Sequence, residues 1–502
     1  MIKYNKIKIG LGLILVSLAY PACDESKLDL RPNFQLEDEY YRSEEEMERS
    51  IYGVYAGLTD IYWFNGNFPI HGFWQLPGDD VTTKGNYPYE VFSTLNSNDG
   101  DLATYYSAAY RLINRANVAL EKVDQISAAG EVYTTPNLAR YHRGEALFLR
   151  SLMNFYLWNY FGTAPVIIQR TTTADITPAG SSGTQLLDQA ITDLQAAADL
   201  LPVVWGAADR GRATSNSANG LLGKALVFRA TVTKNAADYT AAVGAFNKIT
   251  GVSLVPDFGD NFSVRAENNS ESLFEHQAFN PGFDNVWLPN DFNNTDGSTT
   301  AYHGWFENHW SLFGREGFFA TQKLINAFDP ADPRLPLTAD PETKALKKYV
   351  LRDEKAGVGV GSVNNPRLLR YADVLLLKAE ALVQSSGSTT EAIELINQVR
   401  TRARNMVAGG TAPANYSTAE TNRATIMDWI MNERFLELAA EEGGRWLDLK
   451  RWHIAGMINL DNLDFSSESG IPLRFDASKN LLYPIPLREI DLNPDVQQNP
   501  GY

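Results

Sequence analysis

Apolar residues in this chain recur mainly at steps of three and four. Met47, Ile51, Val54, Leu58 and Ile61 form one such stripe, and Ser43 with Glu46 reads as the cap ahead of it. Leu102, Tyr106, Ala109, Ile113, Ala116, Leu120 and Val123 form a second, which predicts a helix over about 101–123. Residues 138–161 are apolar nearly all round, so that helix should be buried on several sides. Gly162 and Pro165 should end it. Further helices are predicted over about 185–201, 217–232, 237–249 and 370–384, and after the Ser388–Glu391 cap. Helices of this size, joined in pairs by short turns, predict a mainly α fold. The expected architecture is a single domain over 37–502, a tetratricopeptide-like array of helix pairs beside a long-loop, aromatic-rich half.

Two long stretches break the helical rhythm, about 62–98 and about 252–367. Both are rich in Gly, Pro, Asn and aromatics. Loops of that length in a compact domain are usually functional or disordered, and aromatics argue against disorder. They are read as ordered loops on the helical scaffold.

The segment Ile426 to Trp452 reads as a helix, a break at Gly443-Gly444, and a second short helix. Glu433, Glu437 and Glu441 stand four apart on one face, and like charges at that spacing repel. A metal or acid/base site is one reading. The favoured reading is an ion-pair network locking two helices together, with Arg434, Arg445, Lys450 and Arg451 supplying the cations.

Aromatics make up 11% of the residues and the formal net charge is −16, a surface that repels nucleic acid and anionic headgroups. The single cysteine excludes an internal disulfide and any thiolate-rich metal site. Lys3, Lys6 and Lys8 precede an apolar run over Ile9 to Ala19, of signal-peptide length. Cys23 follows directly, in an arrangement that resembles a bacterial lipoprotein signal. Residues 1–22 are then the leader, Cys23 the lipidated residue, and 23–36 a short tether. Acyl chains would anchor the protein without a spanning helix.

The order of several segments resembles the SusD/RagB family of outer-membrane nutrient-binding lipoproteins. In this chain they read YRLINRANVALEKV, GEALFLRSLMNFYLWNYFGTAPV, RLLRYADVLLLKAEAL, AIELINQVRTRA, NERFLELAAEEGGRWLDLKRW and the tail LLYPIPLREIDLNPDVQQNPGY. The resemblance implies a lid over a SusC-like TonB-dependent outer-membrane barrel, displayed at the cell surface, which captures substrate and hands it on. Many such proteins bind glycans and some bind peptides. No cofactor is implied.

Sugar rings offer apolar C–H faces and a rim of hydroxyls, so a capture site needs a flat aromatic with a few placed polar groups. The candidates are Trp74 with Asp79 and Asp80, Trp287 with Asn290 and Asn293, and Trp305. The competing reading for each Trp is that it packs its own loop onto the scaffold. Basic residues are sparse around these aromatics, Lys84 and Arg315 being the main ones, which favours a neutral glycan over an anionic one. A helical glycoside hydrolase would need two opposed carboxylates, and adjacent Asp79 and Asp80 are poorly placed for that. No nucleophile elbow, phosphate loop or His-x-x-x-His zinc motif occurs. The expectation is a binding protein without catalytic or metal residues, its alternatives being a peptide-capturing lid and, behind that, the hydrolase.

Overall fold

The computed structural model of the chain describes residues 40–62, 64–65, 68–69, 72–83, 87–92, 95–130, 132–172, 178–278, 318–349, 357–358, 361–362, 364–442, 444–462 and 474–502. The leader, Cys23 and the tether lie outside the described residues.

The fold is mostly α-helical. Its longer helices are α1 (Glu44–Tyr62), α2 (Gly100–Ala129), α3 (Leu138–Phe161), α4 (Gln185–Leu200), α5 (Ser215–Thr233), α6 (Ala236–Phe246), α7 (Tyr371–Gln384), α8 (Thr389–Asn405), α9 (Arg423–Glu437) and α10 (Gly444–Ile454). Successive helices pack on one another from α1 through α6, and α6 then packs on α7, so neighbours in sequence are neighbours in space. Helix α9 closes on α7 and α8, and α10 returns to α5. The predicted stripes are the buried ones: Met47, Ile51, Val54, Leu58 and Ile61 are all at most 1% exposed. Helix α3 is buried on most of its circumference and ends where expected, with Gly162 at φ 62° giving its N–H to Leu157 O and Trp158 O.

Glycine sets one helix spacing directly. A Cβ on Gly223 of α5 would stand 2.2 Å from the Phe246 ring of α6, so these helices approach as closely as they do only because that atom is missing.

Strands are few and short among the described residues. Strand β1 (Val81–Thr82) pairs antiparallel with β3 (Phe319–Ala320), and β2 (Ser272–Glu275) with β4 (Arg367–Arg370).

The acidic row on α9 is an ion-pair network, as expected, but its cations are not those expected. Glu433 takes Arg334 at 2.6 Å and Arg400 at 2.7 Å. Glu437 takes Arg334 at 2.9 Å, Arg370 at 2.7 Å and also Arg402. Glu441 takes Lys348 at 2.6 Å and Arg370 at 2.7 Å. Arg434 and Arg451 turn instead to Asp448, with Arg434 also on Asp373 and Arg451 on Glu380. The reason is helical direction. Arg434 follows Glu433 immediately, so the two side chains leave α9 on different faces, and Asp448 of α10 meets Arg434 there. Arg370, Asp373 and Glu380 also pair inside the helix array.

The break between α9 and α10 also differs from expectation. The left-handed residues there are Ala440 at φ 56° and Glu442 at φ 42°; Gly444 opens α10, and Gly443 lies outside the described residues. Non-glycine residues hold this conformation only where surrounding contacts impose it.

Candidate functional site

Trp74, Asp79 and Asp80 are placed in the interior, which corrects the expectation that they face a ligand. Trp74 belongs to a single helical turn, Gly72–Gln75, and is 3% exposed. Its neighbour Phe73 stands edge-on to Tyr105, Tyr160 and Tyr483 at 4.8–5.7 Å between ring centres. Trp74 itself meets Tyr105 at 5.8 Å. These aromatics therefore fill the space where the first loop docks on α2, α3 and the tail.

Asp79 receives Arg445 Nε at 2.5 Å and Lys323 Nζ at 2.6 Å. Burial pushes its carboxyl up, but the two cations outweigh burial and hold it down at about 2. Asp80 accepts the N–H of Ala440 at 2.8 Å, and burial beside Asp79 raises it to about 6. Their partners lie hundreds of residues away in sequence, so nothing local marked this pair as structural. Trp287, Asn290, Asn293 and Trp305 lie outside the described residues.

The described chain does form a surface cleft of about 430 Å³. It lies between Tyr52, Tyr55 and Thr59 of α1, residues 208–212, and Glu275 to Gln277 at the end of β2. Through Arg210, Gly211 and Arg212 it adjoins a second recess bounded by Val203, Val204 and Trp205. Tyr52 is 44% exposed, because it sits off the apolar stripe of α1. Arg212 lies 4.1 Å over the Trp205 ring and 5.4 Å from the Tyr52 ring centre. Its guanidinium is shared among Glu145 at 2.7 Å, Glu48 at 2.7 Å and Asp209 at 3.0 Å. It therefore fixes the two aromatics without offering a free charge to an anion. Tyr55 is held by giving its O–H to Glu145 and taking the Ala213 N–H, both at 2.8 Å. Burial lowers His276 to about 4, so its ring is neutral at pH 7. The arrangement is an aromatic wall with fixed polar groups.

Described residues that flank both aromatic stretches lie close to this place. Thr59, in the last turn of α1, and Gln277, just after β2, both line the cleft. On the return side, Val81 and Thr82 pair with Ala320 and Phe319. The described ends flanking the two stretches thus lie at shared places, Thr59 with Gln277 at the cleft and Val81–Thr82 with Phe319–Ala320 in one ladder.

The sequence reading missed Tyr52 and Trp205. A tyrosine interrupting the polar face of α1 was the available signal for the first. Trp205 follows the Leu200-Leu201-Pro202-Val203-Val204 run, whose two valines are 55% and 78% exposed, and nothing in the periodicity separates such a run from core. Among the described residues, no group of His, Cys, Asp and Glu is placed to hold a metal, and no helix is long and apolar enough to cross a membrane.

Residues 321–502 match the model of the SusD family, and residues 32–226 match a model described as starch-binding, associating with the outer membrane. The chain belongs to the SusD family. The SusD-like protein P38 of Formosa agariphila is 27% identical and is covered end to end by this chain. A SusD homolog from Bacteroides thetaiotaomicron has the same fold at a TM-score of 0.76 and 21% identity, over 93% of this chain and 99% of that one. A laminarin-binding SusD-like protein shares it at 0.71 and 23%, over 92% and 100%. In this SusD fold the acidic row of α9, which lies inside the matched C-terminal segment, is scaffold, and the cleft beside Tyr52 is the candidate site.

Proposed function

We propose that this protein is a non-catalytic, cell-surface glycan-capture protein of the outer membrane. Cys23 carries the lipid anchor, and the tether 24–36 leads to the helical array, whose helix pairs are of tetratricopeptide type. The captured oligo- or polysaccharide passes to a SusC-like TonB-dependent barrel beneath. The observation that carries this reading is the cleft itself, where Arg212 lies over the Trp205 ring and against Tyr52. Aromatic faces from two distant parts of the chain, Tyr52 and Trp205, beside fixed polar groups suit the alternating apolar faces and hydroxyl rims of a sugar chain. Trp287, Asn290, Asn293 and Trp305 remain the proposed contributors from the second stretch, joined now by Tyr52. The relative described as laminarin-binding supports the substrate class.

The test is native affinity electrophoresis of the chain against laminarin, starch and anionic polysaccharides. Retardation by a neutral glycan, weakened in Tyr52→Ala and in Trp287→Ala with the fold intact, is the expected result. Retardation by none of them would remove the glycan reading, and breakdown of the polysaccharide during the run would replace capture with catalysis.

A further inference from the structure

Another recess, apart from the two near Tyr52, lies at the other end of α3. The cleft side of that helix is marked by Glu145 and this recess by Trp158, roughly 20 Å further along at 1.5 Å per residue. Its volume is about 480 Å³, inside the ~300–1,000 Å³ usual for small-molecule sites. Trp158, Val232, Ile454, Leu481 and Leu482 supply apolar walls. Lys450 of α10 also lines it and is only 4% exposed.

Lys450 is unlike the other buried cations of this protein. Arg334, Arg370, Arg434, Arg451 and Lys348 each meet at least one carboxylate. Lys450 meets none among the described residues. Its ammonium gives one hydrogen bond, to the carbonyl of Asn159, and otherwise faces the Tyr160 and Trp446 rings at 5.9 Å. An ammonium has three N–H donors, so a single acceptor leaves it under-satisfied. Burial alone lowers it to about 7. Among the described residues no Asp or Glu lines the recess, while Lys479 and the ion-paired Arg451 stand in its wall as further cations. An apolar chamber with a desolvated cation and no acid is built for the opposite of what surrounds the rest of this acidic molecule.

We infer that this recess binds a small carboxylate with an apolar, aromatic body, the carboxylate meeting Lys450 and the ring lying against Trp158. A charge-assisted hydrogen bond in a partly desolvated pocket is among the stronger single contacts available there. The site is separate from the glycan cleft, and the inference does not depend on what that cleft binds.

The probes are 2-naphthoate and its neutral counterpart 2-naphthamide, titrated into the purified full chain by calorimetry. Saturable one-to-one binding of naphthoate is expected, with naphthamide weaker by about tenfold or more. Lys450→Met should erase that preference. Ile454→Trp, at a position 46% exposed and so tolerant of change, should obstruct the recess and weaken both probes. If Lys450→Met fails to fold, the naphthoate-to-naphthamide ratio and the Ile454→Trp variant decide the matter. No saturable naphthoate binding, no preference over naphthamide, or binding that survives Ile454→Trp would overturn the inference and leave Lys450 as a cap on the C-terminal carbonyls of α3.

Discussion

The Asp80 carboxylate accepts the backbone N–H of Ala440 at 2.8 Å, joining residues 360 apart in the chain. Asp79 beside it takes Arg445, so two adjacent acids clamp the first loop to the turn between α9 and α10. A Cβ on Gly78 would lie 2.4 Å from Asp80 Oδ1, which shows how closely this loop folds over the pair. The left-handed Ala440 is held in place by this contact.

The clamp gives a pH signature. Burial raises Asp80 to about 6 from an ordinary value of 3.8. Between pH 4 and 6 the folded state therefore holds more protons at Asp80 than the unfolded state does. Stability from this group falls as pH rises through that window, the reverse of the usual carboxylate. Asn at this position still accepts the Ala440 N–H but does not titrate. Asp80→Asn should thus gain on the native protein by about 2–3 kcal/mol from pH 4 to pH 7. Urea titrations of both proteins across that range check it; parallel pH profiles would show that Asp80 is not the group responsible. Asp79, held at about 2, runs the other way: its contribution is present above pH 4 and is lost only as pH falls through 2.

Glu437 is the centre of the buried network. It is fully buried and meets Arg334, Arg370 and Arg402. Burial pushes its carboxyl up, but the three guanidinium groups outweigh it and hold the group well below the usual carboxylate range. Glu437→Gln keeps the shape and removes the charge, leaving three buried cations short of one partner. The expected loss is about 3–5 kcal/mol. Thermal or denaturant unfolding measures it, and a loss below 1 kcal/mol would mean the remaining acids, Glu271, Asp332, Glu433 and Glu441, carry the network alone.

Much of the scaffold was legible because helical periodicity is local. The stripes of α1, α2 and α5, the end of α3 at Gly162 and the pairing tendency of the α9 acids all followed from residues a few positions apart. The partners were not legible. Arg334, Arg370 and Arg402 reach Glu437 from 103, 67 and 35 residues away, and no spacing rule connects them. The same gap misplaced Trp74, Asp79 and Asp80. A Trp near two acids looks alike in sequence whether it faces a sugar or a core, and only Arg445, Lys323 and the Tyr105–Tyr160–Tyr483 cluster decide between them. Tyr52 shows the converse, an aromatic on the polar face of a helix whose exposure the stripe itself predicts.

Gly223 tests the helix spacing. Ala at this position would place a methyl group 2.2 Å from the Phe246 ring, a distance that forces α5 and α6 apart or the ring off its rotamer. Ala favours the helix more than Gly by about 0.8–1.0 kcal/mol. Overpacking costs about 1–3 kcal/mol and should win here, because Phe246 is itself 4% exposed and has little room to turn. A lowered unfolding midpoint is the expected result, and an unchanged or raised one would mean α6 can shift freely against α5.

Trp74 and Tyr52 separate folding from binding. Trp74 lies in the aromatic core between the first loop and α2, so Trp74→Ala should cost stability, about 3–5 kcal/mol. Tyr52 is 44% exposed on α1 and lines the cleft, so Tyr52→Ala should leave stability nearly unchanged. In glycan affinity the order reverses. Tyr52→Ala should weaken retention about tenfold, the scale of 1.4 kcal/mol. A milder Trp74→Phe, which keeps an aromatic in the core, should bind as the native protein does. Both readouts come from one set of samples, unfolding curves and affinity gels run side by side. Should Trp74→Phe lose glycan while holding its fold, the ligand reaches the docked face of the first loop and the cleft beside Tyr52 is not the primary site.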